Sequence, residues 1–418
     1  MATNLVDQSL APRPQSLPRN VWIVTAASFL TDVSSEMLAT LLPLLLANVL
    51  GTRTSVVGLI EGLAETTSSL MKLFSGWFSD RLGQRKWLTV LGYALSTAAK
   101  GVLFFANAWG WVLGSRFGDR LGKGLRTAPR DALLADSLRP EQRGLAFGLH
   151  RAGDTAGAVV GLVVALVVVW FSQQNAALLS PATFRMLVPL SLIPAALAVL
   201  VLAFGARETP APRQNGLPQL TLAPFDARFK YFLFVVALFT LGNSSDAFLV
   251  LRAQAAGLPL IGVLGMMITF NVIYAALSGP AGALSDRIDR RWLLAGGWLL
   301  YGLVYLGFAS ATAGWQAWAL MAVYGVYYAF TEGVAKAYVA DLAPPDLRGT
   351  AYGVFNAVVG LMAFPASFVA GLLWQGAGGW EGFGPGAPFY FGAALALVAA
   401  TLLARLPRPA PGITARRR

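Results

Sequence analysis

The stretch Ser115–Ser137, SRFGDRLGKGLRTAPRDALLADS, sets Arg116, Arg120, Lys123, Arg126 and Arg130 among Asp119, Asp131 and Asp136. Two kinds of chemistry suit such a set. Guanidinium and ammonium groups hold anionic or zwitterionic solutes, and carboxylates placed among them can take up and release protons. At about 100° per residue, all of these except Asp136 fall within an arc of roughly 140° on one helix face. Other segments offer partners. Glu61, Glu65, Ser68 and Lys72 follow i, i+4, i+7, i+11 spacing, Asp32, Ser35 and Glu36 sit close together, and Arg151 precedes Asp154 by three. A purely structural ion-pair network is the competing reading of the same residues. Phosphate-loop chemistry is excluded, because in GDRLGKG the lysine is followed by Gly124 where a Ser or Thr should meet magnesium. The chain has no cysteine and one histidine, His150, which removes thiol nucleophiles, thiolate metal sites and disulfides. His150 itself is expected in a surface or capping role at a helix end.

What positions these charges follows from the rest of the chain. Of 418 residues, 56% are hydrophobic and 12% charged, and the mean hydropathy is +0.60. Runs such as GLVVALVVVWF and LIPAALAVLVLAF point to membrane spans. Twelve candidates begin near Trp22, Val56, Trp87, Trp109, Arg143 and Phe184, then near Phe229, Leu258, Trp292, Trp315, Gly349 and Pro388. The polar, Pro-rich segment between the sixth and seventh divides them six plus six. The expected organisation is a tail at 1–20, a six-helix bundle at 21–204, a linker at 205–228, a second bundle at 229–404 and a basic tail at 405–418. The head carries no cleavage signature and reads as a short tail.

Placing both tails and the even-numbered turns on one side collects most of the 32 Lys and Arg, leaving Arg53, Arg185 and Arg252 opposite. That asymmetry predicts cytoplasmic termini. It also accounts for the pI near 10.2, so no nucleic-acid partner is expected.

The halves repeat. GWFSDRLGQRK (76–86) matches GALSDRIDRRW (282–292), ADSLRPEQRGLAFG (135–148) matches ADLAPPDLRGTAYG (340–353), and Ser34-Ser35-Glu36 is echoed by Ser244-Ser245-Asp246. The second match makes Trp109–Asp136 the fourth span, not a loop. Related halves predict a solute bound between them near the midplane, with access alternating by rocking.

The run Gly76, Asp80, Arg81, Gly83, Arg85, Lys86 resembles the signature between the second and third helices of the major facilitator superfamily, with Asp286 and Arg287 in its second copy. The resemblance implies an all-α membrane protein of twelve transmembrane helices in two pseudo-symmetric bundles. It implies that Gly76, Asp80, Arg81, Gly83, Arg85, Asp286 and Arg287 form a conformational latch. Asp80 would then pair with bases near the end of the fourth helix and the start of the eleventh. Gln84 and Asp289 depart from the usual pattern. Arg116 resembles the fourth-helix arginine of proton-coupled antiporters, although the residues usual after it are missing. Gly153, Gly157 and Gly161 suit close helix packing, but the antiporters' Gly-Pro pair on the fifth helix is absent.

The expected function is secondary active transport of a small solute across the inner membrane by a monomer, powered by the proton gradient without a cofactor or metal, leaning to efflux. Proton-coupling candidates are Glu36 first, then Asp32, with Glu61 and Glu65. Substrate-binding candidates are Arg116, Arg120, Lys123, Asp246, Glu332 and Lys336. Proton-coupled uptake of an organic anion and a non-transporting sensor or partner-binding protein are the alternatives. A lipid-modifying enzyme finds no catalytic set. Tyr324, Tyr327 and Tyr328 on the tenth helix could line a cavity wall, but at this spacing helix packing is the expected role.

Overall fold

A computed structural model describes residues 17–139, 142–173, 177–209, 221–344 and 347–406. Residues 210–220 of the expected linker, and tail residues 1–16 and 407–418, lie outside these. In a bilayer every backbone N–H and C=O must find a partner within the protein, and helices meet that demand within each segment. The described residues form twelve long helices and no strand. They are α1 (Arg19–Val49), α2 (Thr54–Leu82), α3 (Lys86–Phe105), α4 (Trp109–Asp136), α5 (Arg143–Ser172), α6 (Pro181–Gly205), α7 (Ala227–Ala255), α8 (Leu260–Ser285), α9 (Arg290–Ser310), α10 (Gly314–Leu342), α11 (Arg348–Gln375) and α12 (Ala387–Ala404). Nine are long and apolar enough on composition alone to span. The others are α2 and α4, which carry the charged faces, and α10, which is rich in Tyr and Trp.

Packing repeats between the halves as the sequence does. The pairs α1–α5, α1–α6, α2–α4, α3–α4 and α3–α6 recur as α7–α11, α7–α12, α8–α10, α9–α10 and α9–α12. The α1–α5 contact needs small residues. A side chain at Gly157 would collide with the Phe29 carbonyl, and one at Gly161 with that of Val33, so the expectation of close packing there holds. Outward-facing apolar side chains such as Val163, Phe171, Leu200, Phe204 and Leu303 stay exposed, as a surface solvated by lipid tails requires.

The halves meet through α2–α11 and α5–α8. At the end away from the termini the contact is close. Asn48 donates to Gln254 (2.8 Å), the Thr54 amide to Gln375 (2.8 Å), and Arg53 to the Gly378 carbonyl (3.0 Å). Thr66 continues the seam by donating to the Gly360 carbonyl (2.6 Å).

Candidate functional site

Between the halves, midway along the helices, lies a cavity of about 410 Å³. Glu36, Glu61, Glu65, Arg116 and Arg120 line it from α1, α2 and α4. From the other half come the segment around Asp246 on α7, Tyr328 on α10 and Ser367 on α11. A second pocket of about 110 Å³ lies wholly inside the first half, lined by Asp32, Lys100, Asp119, Lys123 and Arg126. Glu36, Arg116 and Arg120 line both. The charged stripe of α4 therefore divides between the two spaces.

Arg116 is committed to a protein partner. Its Nε donates to Glu61 Oε1 at 3.0 Å and its Nη2 to Glu61 Oε2, both side chains being buried. Such a two-pronged pair between planar groups is the strong form of ion pair, and it uses up both residues for other purposes. Arg126 donates to Ser96 (2.6 Å) and lies over the Tyr93 ring at 4.5 Å. Arg130 grips Asp131 at 2.8 Å. Lys100, buried, donates to Ser34 (3.0 Å) and Ser35 (2.8 Å). Among the described residues, Asp32, Glu36, Glu65, Arg120 and Lys123 have no ion-pair partner within 4.0 Å.

In the second half the backbone itself opens. Helix α7 stops at Gly242 and resumes at Ala247. Glycine is a poor helix former, and Asn, Ser and Asp side chains compete for nearby backbone groups, so Gly242–Asp246 favours such a break. The freed groups find partners on neighbouring helices. Tyr301 donates to the Gly242 carbonyl (3.1 Å) and Asn243 Oδ1 (3.2 Å), and the Ser245 amide donates to Ser367 Oγ (3.1 Å). The break turns Asp246 toward the cavity, where its carboxylate accepts from the Tyr324 hydroxyl at 2.9 Å. Irregular backbone within a membrane is tolerable where it lines such a cavity.

Several sequence expectations need correction. Lys123 opens on the side pocket and does not line the central cavity. Glu332 and Lys336 do not line it either. They pair with each other at 3.5 Å, and Glu332 also binds Arg151 (3.0 Å) and Tyr274, linking α10, α5 and α8 across the halves. Asp80 reaches Arg85 of its own turn (3.5 Å), not bases on the fourth and eleventh helices, and Arg85 also binds Asp136, an acid ending α4. The second copy repeats this triad as Asp286–Arg290–Asp341, at 2.6 and 2.7 Å. Each charged turn thus ties its own half together. Gly83 closes α2 with φ +64°, a conformation for which glycine is best suited, Gly76 packs against α4, and Arg81 lies over Trp77. Arg287 is exposed. Asp289, a departure from the usual signature, caps α9 by accepting from the Arg291 amide (3.0 Å). His150 is neither at the surface nor a cap. It is buried, with Nε2 3.8 Å from Asp154 and no hydrogen bond to either ring nitrogen.

Sequence reading allowed the tyrosines of α10 a place in a cavity wall but did not single out Tyr328 or link Tyr324 to Asp246, and it missed Asp136, Arg290 and Asp341 as triad members. The repeated ADS and ADL segments contain two of those acids at matching offsets, so the triads had a usable signal. The tyrosines had none, because three similar residues on one helix do not reveal which face a cavity.

Comparison with known proteins agrees with this architecture. The Major Facilitator Superfamily sequence model matches residues 24–268 and 232–418. An MFS-type transporter of Methanocaldococcus jannaschii is 36% identical over 414 residues, covering 96% of this chain and 99% of its own. The multidrug resistance protein MdtH of Aeromonas hydrophila is 26% identical over 345 residues, covering 79% and 82%. In fold, the chain is similar to the nucleoside transporter NupG (TM-score 0.79, 13% identity, 93% of this chain and 100% of that one). It is also similar to a bacterial homologue of the lysosomal transporter Spinster in an inward-facing state (TM-score 0.71, 16% identity, 93% and 96%). The chain belongs to the Major Facilitator Superfamily: it is a multi-pass membrane transporter of small molecules, not an enzyme.

Proposed function

We propose that this transporter exchanges protons for a small solute, exporting the solute across the cytoplasmic membrane as a monomer with both termini in the cytoplasm. The carrying observation is that Glu36 faces the cavity between the halves with no ion-pair partner within 4.0 Å among the described residues. A carboxylate kept from bulk water is costly to ionise unless compensated, so it is suited to hold a proton in one state and release it in another. Glu36 is the first candidate because it alone among the acids borders both the central cavity and the side pocket with Asp32. Glu61 leaves the coupling set, its carboxylate being held by Arg116. Proton movement needs no bound cofactor. The resemblance to proteins called multidrug resistance proteins supports export, and the excess of Lys and Arg on the side of the termini supports their placement.

The test is a proteoliposome assay with an imposed pH gradient and a pH dye inside, challenged with organic cations and organic anions in turn. Solute-dependent proton flux is expected, and it should collapse in Glu36→Gln. If no solute evokes flux, or if Glu36→Gln matches the wild type, proton exchange through this residue is wrong.

A further inference from the structure

The acids around the cavity differ in what surrounds them. Glu36 and Glu65 stand among bases: Arg116, Arg120 and Lys123 bear on both, and Lys72 on Glu65. Asp246 comes from the other half, whose share of the cavity lining holds no Lys or Arg among the described residues. It shares the cavity lining with Glu36, Glu61 and Glu65, and among the described residues no Lys or Arg nitrogen lies within 4.0 Å of its carboxylate. Its hydrogen-bond donor is the neutral Tyr324 hydroxyl. Arg120 also lines the cavity, from α4 in the first half.

From this geometry we infer that Asp246, with Tyr324 and Tyr328, binds the positively charged group of an organic cation carried by this transporter. The inference rests on the transport reading above and adds the substrate class to it. An unpaired carboxylate away from bulk water calls for a positive partner, and the protein supplies none at this position. Among the described residues, one aromatic ring, that of Tyr328, joins Asp246 in the cavity lining. Its centroid is 5.1 Å from that of Tyr324, and Phe270 and Tyr274 pack behind it at 5.4 and 6.0 Å. Aromatic faces attract cations as well as apolar substituents. The volume of about 410 Å³ is that of a site for a drug-sized molecule. A bare metal ion fits less well, since among the described residues no three Asp, Glu, His or Cys side chains are grouped to hold one, and a hard cation collects about six or more oxygens. Tyr324 acts as a positioning residue that holds the carboxylate. Arg116, the cavity's second base, is already neutralised by Glu61, so Arg120 is left facing three carboxylates without an ion-pair partner, and that balance disfavours an anionic solute.

The test uses the purified full-length chain in detergent and two ions of matched size and opposite charge, tetraphenylphosphonium and tetraphenylborate, with binding measured directly. Tetraphenylphosphonium is expected to bind and tetraphenylborate not. Asp246→Asn should weaken the cation by about ten- to a hundredfold, and Tyr328→Leu by about tenfold or less, with Asp246→Glu recovering part of the loss. A labelling arm needs no variant. Tetraphenylphosphonium should protect Asp246 of the wild-type chain from a carboxyl-reactive carbodiimide, read by peptide mass spectrometry. Equal binding of both ions, unchanged affinity in a folded Asp246→Asn, or no protection of Asp246 overturns the inference. Displacement of tetraphenylphosphonium by sodium alone would make this an inorganic-cation site and overturn it too. Binding that survives all these arms without any flux in vesicles would leave the site standing and sink the transport reading.

Discussion

The two halves share a helix order and a set of helix pairings, yet they stabilise their interiors by different means. The first is held by charge, with Glu61–Arg116 locked together, Arg130 on Asp131, and Lys100 on two serines. The second is held by rings. Phe239 stacks on Trp298 at 4.4 Å, Tyr301 on Tyr305 at 4.1 Å, and Tyr324 on Tyr327 at 5.3 Å. A six-helix scaffold therefore does not dictate its own filling. Where helices face an internal polar pocket, charges can be retained if paired, and where the interior is dry, aromatic burial takes over. The cavity lies where these two solutions meet, and Asp246 of the aromatic half shares it with the Glu61–Arg116 pair and with the unpaired Glu36, Glu65 and Arg120 of the other.

That contrast can be broken by substitution. The largest effect is expected from Glu61→Gln, which strands the buried Arg116. Thermal unfolding should show a loss of about 3–5 kcal/mol, largely recovered in Glu61→Gln/Arg116→Met. A loss as small as that of a surface pair would refute a charge-held half. Next comes Gly157→Leu, which forces α1 from α5 and should cost about 1–3 kcal/mol. An unchanged midpoint would mean that the helices can separate freely there. In the aromatic half, Tyr301→Phe keeps the ring but removes the hydroxyl that satisfies Gly242 and Asn243, and should cost about 0.5–1.5 kcal/mol in the same assay. The smallest effect belongs to Glu332→Gln. Its partner Arg151 is 54% exposed, so the stability change should stay below about 1 kcal/mol. A loss matching that of Glu61→Gln would show that charge pairing matters equally across the molecule.

Much of the fold was legible beforehand because membrane insertion imposes strong rules. Apolar length marks spans, and the offset of Asp341 from Asp136 identified Trp109–Asp136 as a helix despite its charges. The site was legible in part. Glu36, Glu65, Arg120 and Asp246 were candidates by type and all face the cavity, whereas Lys123, Glu332 and Lys336 were candidates by type and do not. Helical spacing assigns residues to a face, but it does not say which space that face borders. His150 shows the same limit, since nearness to a helix end suggested exposure and the packing of α5 buried it.

By itself the sequence determined the number and order of the helices, their division into related halves, and the concentration of charge in the first. These follow from local properties, namely hydropathy, periodicity and repetition. Tertiary structure decided which charges neutralise one another, where α7 opens, and which carboxylates are left without an ion-pair partner. Such outcomes depend on distances between helices remote in the chain, and electrostatic compensation in a poorly solvated interior changes steeply over a few ångströms. Arg116 and Arg120 are one turn apart on the same face. Both line the cavity, but packing gave the first to Glu61 and left the second without an ion-pair partner.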